Sequence, residues 1–326
     1  MDQIVSKLSP FVTAHPTPLA STKFHDPDLT AKGEVRASVD MAGLKTLWFN
    51  TGTLCNLTCL NCYIESSPTN DALSYLTAAE ALAYLDEIAD MKLPVEEIGL
   101  TGGEPFMNPD ILSLIAVPLQ RGLKVLVLTN GMKPMDHRKD GLLALKAQYG
   151  DRLTLRVSLD HYTGLVHEAE RGVGTWAKAL EGLHWLSVNG FNLAVAGRTL
   201  EGEGVDEARG GYQALFDAMG IGLEATNPAA LVLFPEMDAR VDVPEITTAC
   251  WGILHKDPAD LMCASSRMVV KRRGADRPAV VACTLLPYDP QFELGSDLAS
   301  SLGAVKLNHP HCAKFCVFGG ASCSAA

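Results

Sequence analysis

No stretch of 18 or more apolar residues occurs in the 326-residue chain, so no transmembrane helix is expected. The first twenty residues hold Pro10, Pro16 and Pro18 and no sustained apolar run, so no signal-peptide core is expected there. Internal repeats and low-complexity segments are missing too. Nor is there an excess of positive charge: 27 Lys and Arg stand against 38 Asp and Glu, a balance of −11. That argues against a general nucleic-acid or membrane-surface binder and leaves room only for a local basic patch. Cysteine is absent from most of the chain. Its nine copies crowd into Cys55, Cys59 and Cys62 and then, after residue 245, Cys250, Cys263, Cys283, Cys312, Cys316 and Cys323. An odd count in a long chain with no secretory start is not a disulfide framework. The expectation is a cytoplasmic protein whose cysteines bind metal or do chemistry. What is present supports a real core: 47 % apolar and 20 % charged residues. At about 150 residues per domain, the length suggests about two domains.

Residues 1–44 read as an irregular lead-in. From there to about residue 235, strand-like and helix-like segments alternate. Strands are expected at 46–51, 97–101, 123–128, 153–159, 192–196 and 231–234. Helices are expected between them. Thr77 with Glu80 three residues on is a capping box for the first. Asn108-Pro109 reads as the cap of the second, with Pro118 and Gly122 ending it. Further helices are read at 142–149, 175–188 and about 206–219. Six β/α units over about 190 residues predict an α/β fold, a parallel sheet wrapped by helices, open or as a partial barrel. The active site then lies at the carboxyl ends of the strands.

Cys55, Cys59 and Cys62 form a C-x3-C-x2-C run just after the first strand. Three thiolates on one tight loop can hold three irons of a [4Fe–4S] cube and leave the fourth open to another ligand. A zinc site would want four closed ligands. A bland alternative is a cysteine stripe on a helix, since the spacing is i, i+4, i+7, yet Asn56, Thr58 and Asn61 are indifferent helix formers. About forty residues on, Gly102-Gly103-Glu104-Pro105 follows the second strand. Two glycines let a ligand approach the backbone, and a carboxylate beside them can accept from an ammonium.

Together these motifs resemble the radical S-adenosylmethionine (radical SAM) superfamily, over roughly residues 45–235. The resemblance implies a (β/α)6 partial TIM-like barrel. Cys55, Cys59 and Cys62 would hold a [4Fe–4S] cluster, with SAM chelating the open iron. Gly102, Gly103 and Glu104 would cradle the methionyl ammonium. One departure is Asn61, where the family usually has an aromatic residue. Ser158-Leu159-Asp160 resembles an S-L-D segment near bound SAM, and His167 with Arg171-Gly172 resembles an H-x-x-x-R-G stretch. These make Ser158, Asp160 and Arg171 further candidate SAM contacts. A reductant such as flavodoxin or ferredoxin is the implied partner.

After about residue 245 the alternation stops. Cys263 and Cys283 bracket two short strands, 268–271 and 279–282, with turn chemistry at Arg273–Asp276. A hairpin folded there puts the two cysteines at its open end. Cys312 and Cys316 follow, then Cys323. This region resembles the SPASM and twitch auxiliary-cluster extensions, including Leu294-Gly295 before a short helix. It has six cysteines where the full SPASM pattern has seven. The expectation is one auxiliary [4Fe–4S] cluster on Cys263, Cys283, Cys312 and Cys316, with Cys323 competing for the fourth place and Cys250 more weakly. A zinc site using His309 or His311 is the alternative.

The expected organisation is therefore a lead-in (1–44), a radical SAM core (45–240) and a small cysteine-rich cluster domain (245–326). The expected reaction is reductive cleavage of SAM to a 5′-deoxyadenosyl radical, then hydrogen abstraction for oxidation or rearrangement of a small metabolite or peptide. The poor strand pattern of the N-terminus mildly favours a small molecule. The rival class is a non-catalytic iron–sulfur electron-transfer or binding protein, which would not need Gly102-Gly103-Glu104.

Overall fold

The computed structural model describes residues 9–235 and 238–319. Six parallel strands carry the fold: β1 (Thr46–Asn50), β2 (Glu97–Thr101), β3 (Lys124–Thr129), β4 (Leu153–Ser158), β5 (Asn192–Arg198) and β6 (Leu231–Phe234). They pair in chain order, each parallel to the next. The result is the mostly parallel sheet of a partial TIM barrel with helices outside.

The strands read as near-continuous apolar runs, and the pleat separates their two faces. Leu47, Phe49, Ile98, Leu100, Val125, Val127, Leu155 and Val157 pack outward on the helix layer, in one core with Tyr84, Leu85 and Ile88 of α1 (Ala78–Asp90). Trp48 and Leu126, on the other face, join a second core with Met268, Val270 and Val281. Gly99 makes room for Trp48: a Cβ there would lie 2.3 Å from the indole ring.

The Thr77–Glu80 capping box is present in both directions. The second helix, α2 (Ile111–Gln120), differs from expectation. Asn108 does not cap it. Its Oδ1 accepts from the Asp110 amide, while Nδ2 donates to Thr51 O and Leu76 O at 2.9 Å each. A fully buried amide is better satisfied by tying three loops together than by a cap facing solvent. Pro118 lies inside α2 rather than ending it. The helix runs only two residues beyond it, to Gln120, and its carbonyl accepts from Arg121 and Leu123. The longer helices that follow are α3 (Lys139–Tyr149), α4 (Gly164–Arg171), α5 (Thr175–Val188) and α6 (Val205–Met219). Sequence reading missed α4.

The C-terminal hairpin forms from β7 (Ser266–Val270) and β8 (Ala279–Val281), with β9 (Glu293–Gly295) beside it. It does not stand apart. β7 pairs parallel to β1, so nine strands make one continuous sheet. The lead-in packs back on this region through Ser38–Val39 against Val305–Lys306 and through the buried Arg36–Glu245 pair at 2.6 Å. Among the described residues, no helix is long and apolar enough to cross a membrane.

Candidate active site

The loop after β1 carries Cys55, Cys59 and Cys62 without regular helix, so the stripe-on-a-helix alternative does not describe it. The loop after β2 clamps its start. Gly103 N donates to Gly52 O at 2.8 Å and Glu104 N to Leu54 O at 3.1 Å. This approach is why both positions are glycine. A Cβ on Gly102 would lie 2.5 Å from Gly52 O, and one on Gly103 would lie 2.3 Å from Leu54 O. Gly102 also has φ +141°, a conformation that L side chains rarely adopt. The loop after β3 pins the other side, with Asn130 Nδ2 donating to Asn56 Oδ1 at 2.9 Å.

Two adjoining cavities of about 110 Å³ each open at the carboxyl ends of the strands. Both are lined by Cys59, Cys62, Tyr63, Ser158 and Arg171. The first adds Cys55, Gly102 and Gly103. The second adds Asn61, Asp160, Glu170, Arg198 and Phe234. Thus the three cysteines and the expected Gly102, Gly103, Ser158, Asp160 and Arg171 share one region.

Glu104 is placed differently from its neighbours. It is buried, and its carboxylate accepts from Phe106 N (3.1 Å), Thr129 Oγ1 (2.8 Å) and Asn130 N (2.8 Å). Burial pushes it up to about 7 against those three donors. Its side chain braces the β2 and β3 loops and is not part of either cavity's lining. Arg171 clasps Asp160 bidentately, Nε–Oδ2 at 2.6 Å and Nη2–Oδ1 at 3.1 Å. Burial works to raise the Asp160 pKa, but Arg171 and then Arg198 outweigh it, and the carboxyl stays below its usual range. His167 is buried against Trp176, its charged form disfavoured by desolvation and by Arg171, so its pKa falls to about 4.

Burial pushes Cys55 up to about 11 and Cys59 up to about 12, with the neighbouring thiolates contributing a small part of each rise. Such groups ionise together only beside compensating cations, as iron provides. Among the described residues, no group of three or more His, Cys, Asp or Glu side chains is gathered closely enough for a single metal ion.

Cys263, Cys283, Cys312 and Cys316 line a third, apolar cavity with His311. The hairpin register pairs Met268 with Val281, which carried on sets Cys283 opposite Ser266, three residues past Cys263. Both thiols still reach the same cavity. Cys312 and Cys316 come from one wide turn of π-helix, Cys312–Phe318. Cys250 packs on the same core but does not line the cavity. Cys323 lies outside the described residues. Arg267 is wholly buried beside this site. It donates to four carbonyls, Cys263 O (2.6 Å), Ser301 O (2.7 Å), Ser266 O (2.8 Å) and Gly303 O (2.9 Å); burial lowers its pKa to about 10, partly offset by the thiolates of Cys263 and Cys283. The segment after Cys283 reaches the cysteine loop, where Tyr288 Oη donates to Ile64 O at 2.8 Å.

A family model described as the radical SAM superfamily matches residues 49–209. The chain belongs to the radical SAM superfamily. Curated relatives include the antilisterial bacteriocin subtilosin biosynthesis protein AlbA of Bacillus subtilis, 34 % identical over 143 residues, 44 % of this chain and 30 % of the relative. Another is the mycofactocin maturase MftC of Mycobacterium ulcerans, 31 % identical over 137 residues, 42 % of this chain and 35 % of the relative. The matched part of this radical SAM chain therefore spans only about a third of those relatives. Among solved structures, Streptococcus suis SuiB bound to S-adenosylmethionine superposes with a TM-score of 0.56 at 12 % identity, over 78 % of this chain and 63 % of SuiB. A structure of anSMEcpe with bound AdoMet gives 0.53 at 14 % identity, over 77 % of each chain. At those identities the likeness is one of fold.

Sequence reading missed Asn61, Glu170, Arg198 and Phe234 as cavity residues. The end-of-strand rule points at Phe234, which ends the strand expected at 231–234, and at Arg198 once β5 is carried past residue 196, where the expected strand stopped. Glu170 had no local signal, because it arrives from α4.

Proposed function

We propose that this protein is a radical SAM enzyme that cleaves SAM reductively and abstracts a substrate hydrogen. The observation that carries the reading is the convergence of three cysteines of one loop with Gly102, Gly103, Ser158 and Arg171 around one space. With a [4Fe–4S] cluster and SAM bound, the pair supplies a 5′-deoxyadenosyl radical, which is the difficult chemistry. The chain's own work is positional. Cys55, Cys59 and Cys62 are the proposed cluster ligands, held in place by the Gly52–Leu54 and Asn130 clamps. Gly102 and Gly103 offer backbone to the methionyl group. Ser158 and the Asp160–Arg171 pair form the facing wall.

Cys263, Cys283, Cys312 and Cys316 are the proposed ligands of one auxiliary [4Fe–4S] cluster. Their convergence on one apolar cavity, with the buried guanidinium of Arg267 beside them, supports that reading over free thiols. Four cysteine ligands would leave no open iron, so the auxiliary cluster takes the role of electron acceptor in a net oxidation. The eight described cysteines form no disulfide with one another, in keeping with the reducing, cytoplasmic setting proposed for them.

We favour a peptide substrate over a small metabolite. Two relatives are named for bacteriocin biosynthesis and mycofactocin maturation, and a SuiB structure holds its precursor peptide. The preference for a small molecule drawn from the N-terminus finds less support. A relative named AdoMet-dependent heme synthase keeps the small-molecule reading as the second one.

The electron donor's proposed docking face is a groove of about 930 Å³ beside Asn56, Leu57 and Thr58 of the cysteine loop. Lys133, Arg138 and Lys178 line it, a basic patch on an acidic protein. It suits an acidic carrier such as flavodoxin or ferredoxin.

Anaerobic reconstitution with SAM and a reductant tests the activity. The expected product is 5′-deoxyadenosine, with about eight irons per chain. A Cys59→Ala variant should keep about four irons and make no 5′-deoxyadenosine. Absence of that product from the loaded wild type would refute the radical reading.

A further inference from the structure

Arg198 ends β5 and delivers its guanidinium to the second of the two cavities, the one without the glycines. The side chain is only 8 % exposed; its charge is paired with Glu170, but its N–H groups are incompletely met. Nη1 lies 3.6 Å from Glu170 Oε1, beyond hydrogen-bond reach. Glu170 is already engaged, accepting from Ser9 Oγ at 2.5 Å and from Asn61 N at 2.8 Å. Nε and Nη2 of Arg198 have no hydrogen-bond partner among the described residues. The Phe11 ring covers one face of the guanidinium, 4.4 Å from its carbon, which fixes the plane and leaves the N–H edge free. Asn61 lines the same cavity, and its Nδ2 is likewise buried without a partner. Unmet donors of this kind are costly unless an acceptor arrives, and a planar fork of N–H groups matches a carboxylate in two bonds. Asp160, the other acid facing this space, is neutralised by Arg171 and does not repel an incoming anion.

We propose that Arg198, assisted by Asn61, anchors a carboxylate of the substrate in this second cavity. The proposal rests on the reading that the region takes SAM together with a substrate. SAM has a single carboxylate, next to the ammonium assigned to Gly102 and Gly103, and those glycines line the other cavity. Its adenosine carries no anion. A carboxylate at Arg198 therefore belongs to a second molecule, such as a peptide's terminus or an acidic side chain. Arg198 is a positioning residue for that molecule: it fixes one end so that a neighbouring C–H bond faces the cysteine loop.

The test uses the anaerobically reconstituted protein with SAM bound. It is titrated calorimetrically with N-acetylglycinate and with the neutral N-acetylglycinamide, which differ in the carboxylate. The expected result is a preference of about tenfold or more for the carboxylate. Arg198→Met should abolish the preference and Arg198→Lys should keep part of it, both with unchanged SAM affinity. Equal binding of the two probes by the wild type, or binding of neither, overturns the proposal whatever the variants do. A matching loss of SAM affinity in Arg198→Met also overturns it, by assigning the carboxylate to SAM itself. Iron content and melting of each variant report its folding. A wild type that makes no 5′-deoxyadenosine fails the activity reading separately, because the probe preference is read by heat and not by turnover.

Discussion

Gly103→Ala probes the clamp that presents the cysteine loop. The new Cβ would lie 2.3 Å from Leu54 O, 2.7 Å from the Leu54 carbonyl carbon and 2.7 Å from Thr53 O. All three obstacles are backbone, so no side chain can swing away. Relief needs a shift of about 1 Å in the residues directly before Cys55. Such overpacking costs about 1–3 kcal/mol. The hydrogen bonds Gly103 N to Gly52 O and Glu104 N to Leu54 O would be stretched, at about 1 kcal/mol each. The sum is about 3–5 kcal/mol. For a chain of this length, about 1.5 °C of melting temperature follows each kcal/mol, so the expected fall is about 4.5–7.5 °C. Iron bound per chain after anaerobic reconstitution should fall as well, because Cys55 moves with Leu54. Gly210→Ala is the control. It sits in α6 with nothing within 4 Å of a Cβ, and it should stabilise by about 0.5–1 kcal/mol. A Gly103→Ala protein that melts within about 1 °C of the wild type and keeps its iron would refute the clamp.

Three other outcomes follow from the same geometry. Arg267→Met should lower the midpoint potential of the auxiliary cluster by tens of millivolts, roughly, because it removes a buried cation beside Cys263 and Cys283; a redox titration followed spectroscopically that finds no change would remove Arg267 from that role. Lys133→Glu with Arg138→Glu should slow 5′-deoxyadenosine formation supported by flavodoxin while leaving the dithionite-driven rate unchanged, and equal slowing with both reductants would count against the docking groove. Glu104 is held near 7 in the folded protein against 4.5 unfolded, so the folded state binds the extra proton between those values. Without SAM, stability should therefore fall as pH rises from about 4.5 to 7, and Glu104→Gln should flatten that slope; an unchanged slope in chemical-denaturation curves would show that Glu104 is not the titrating group.

Much of the barrel was legible because its signals are local. The capping box at Thr77 and Glu80 closes within one turn, and the run from Lys124 to Thr129 is a buried strand by composition alone. Asn108 and Pro118 misled for the same reason. Their local chemistry says cap and stop, while burial against Thr51 and Leu76 and a place in a last turn decide otherwise. The cysteine loop was legible because three cysteines fall within eight residues, whereas Arg198, Asn61 and Glu170 meet only through the fold.

The sequence by itself therefore determined the six-fold alternation, the cysteine loop and the cysteine-bracketed hairpin, since each is written in spacings of a few residues. Tertiary structure alone decided that the hairpin joins the barrel sheet through β1, that Glu104 faces the wall, and that Arg198 is left with open donors. Those outcomes depend on contacts between residues far apart in the chain. Periodicity shows that a side chain is buried, but not which partner it is buried against.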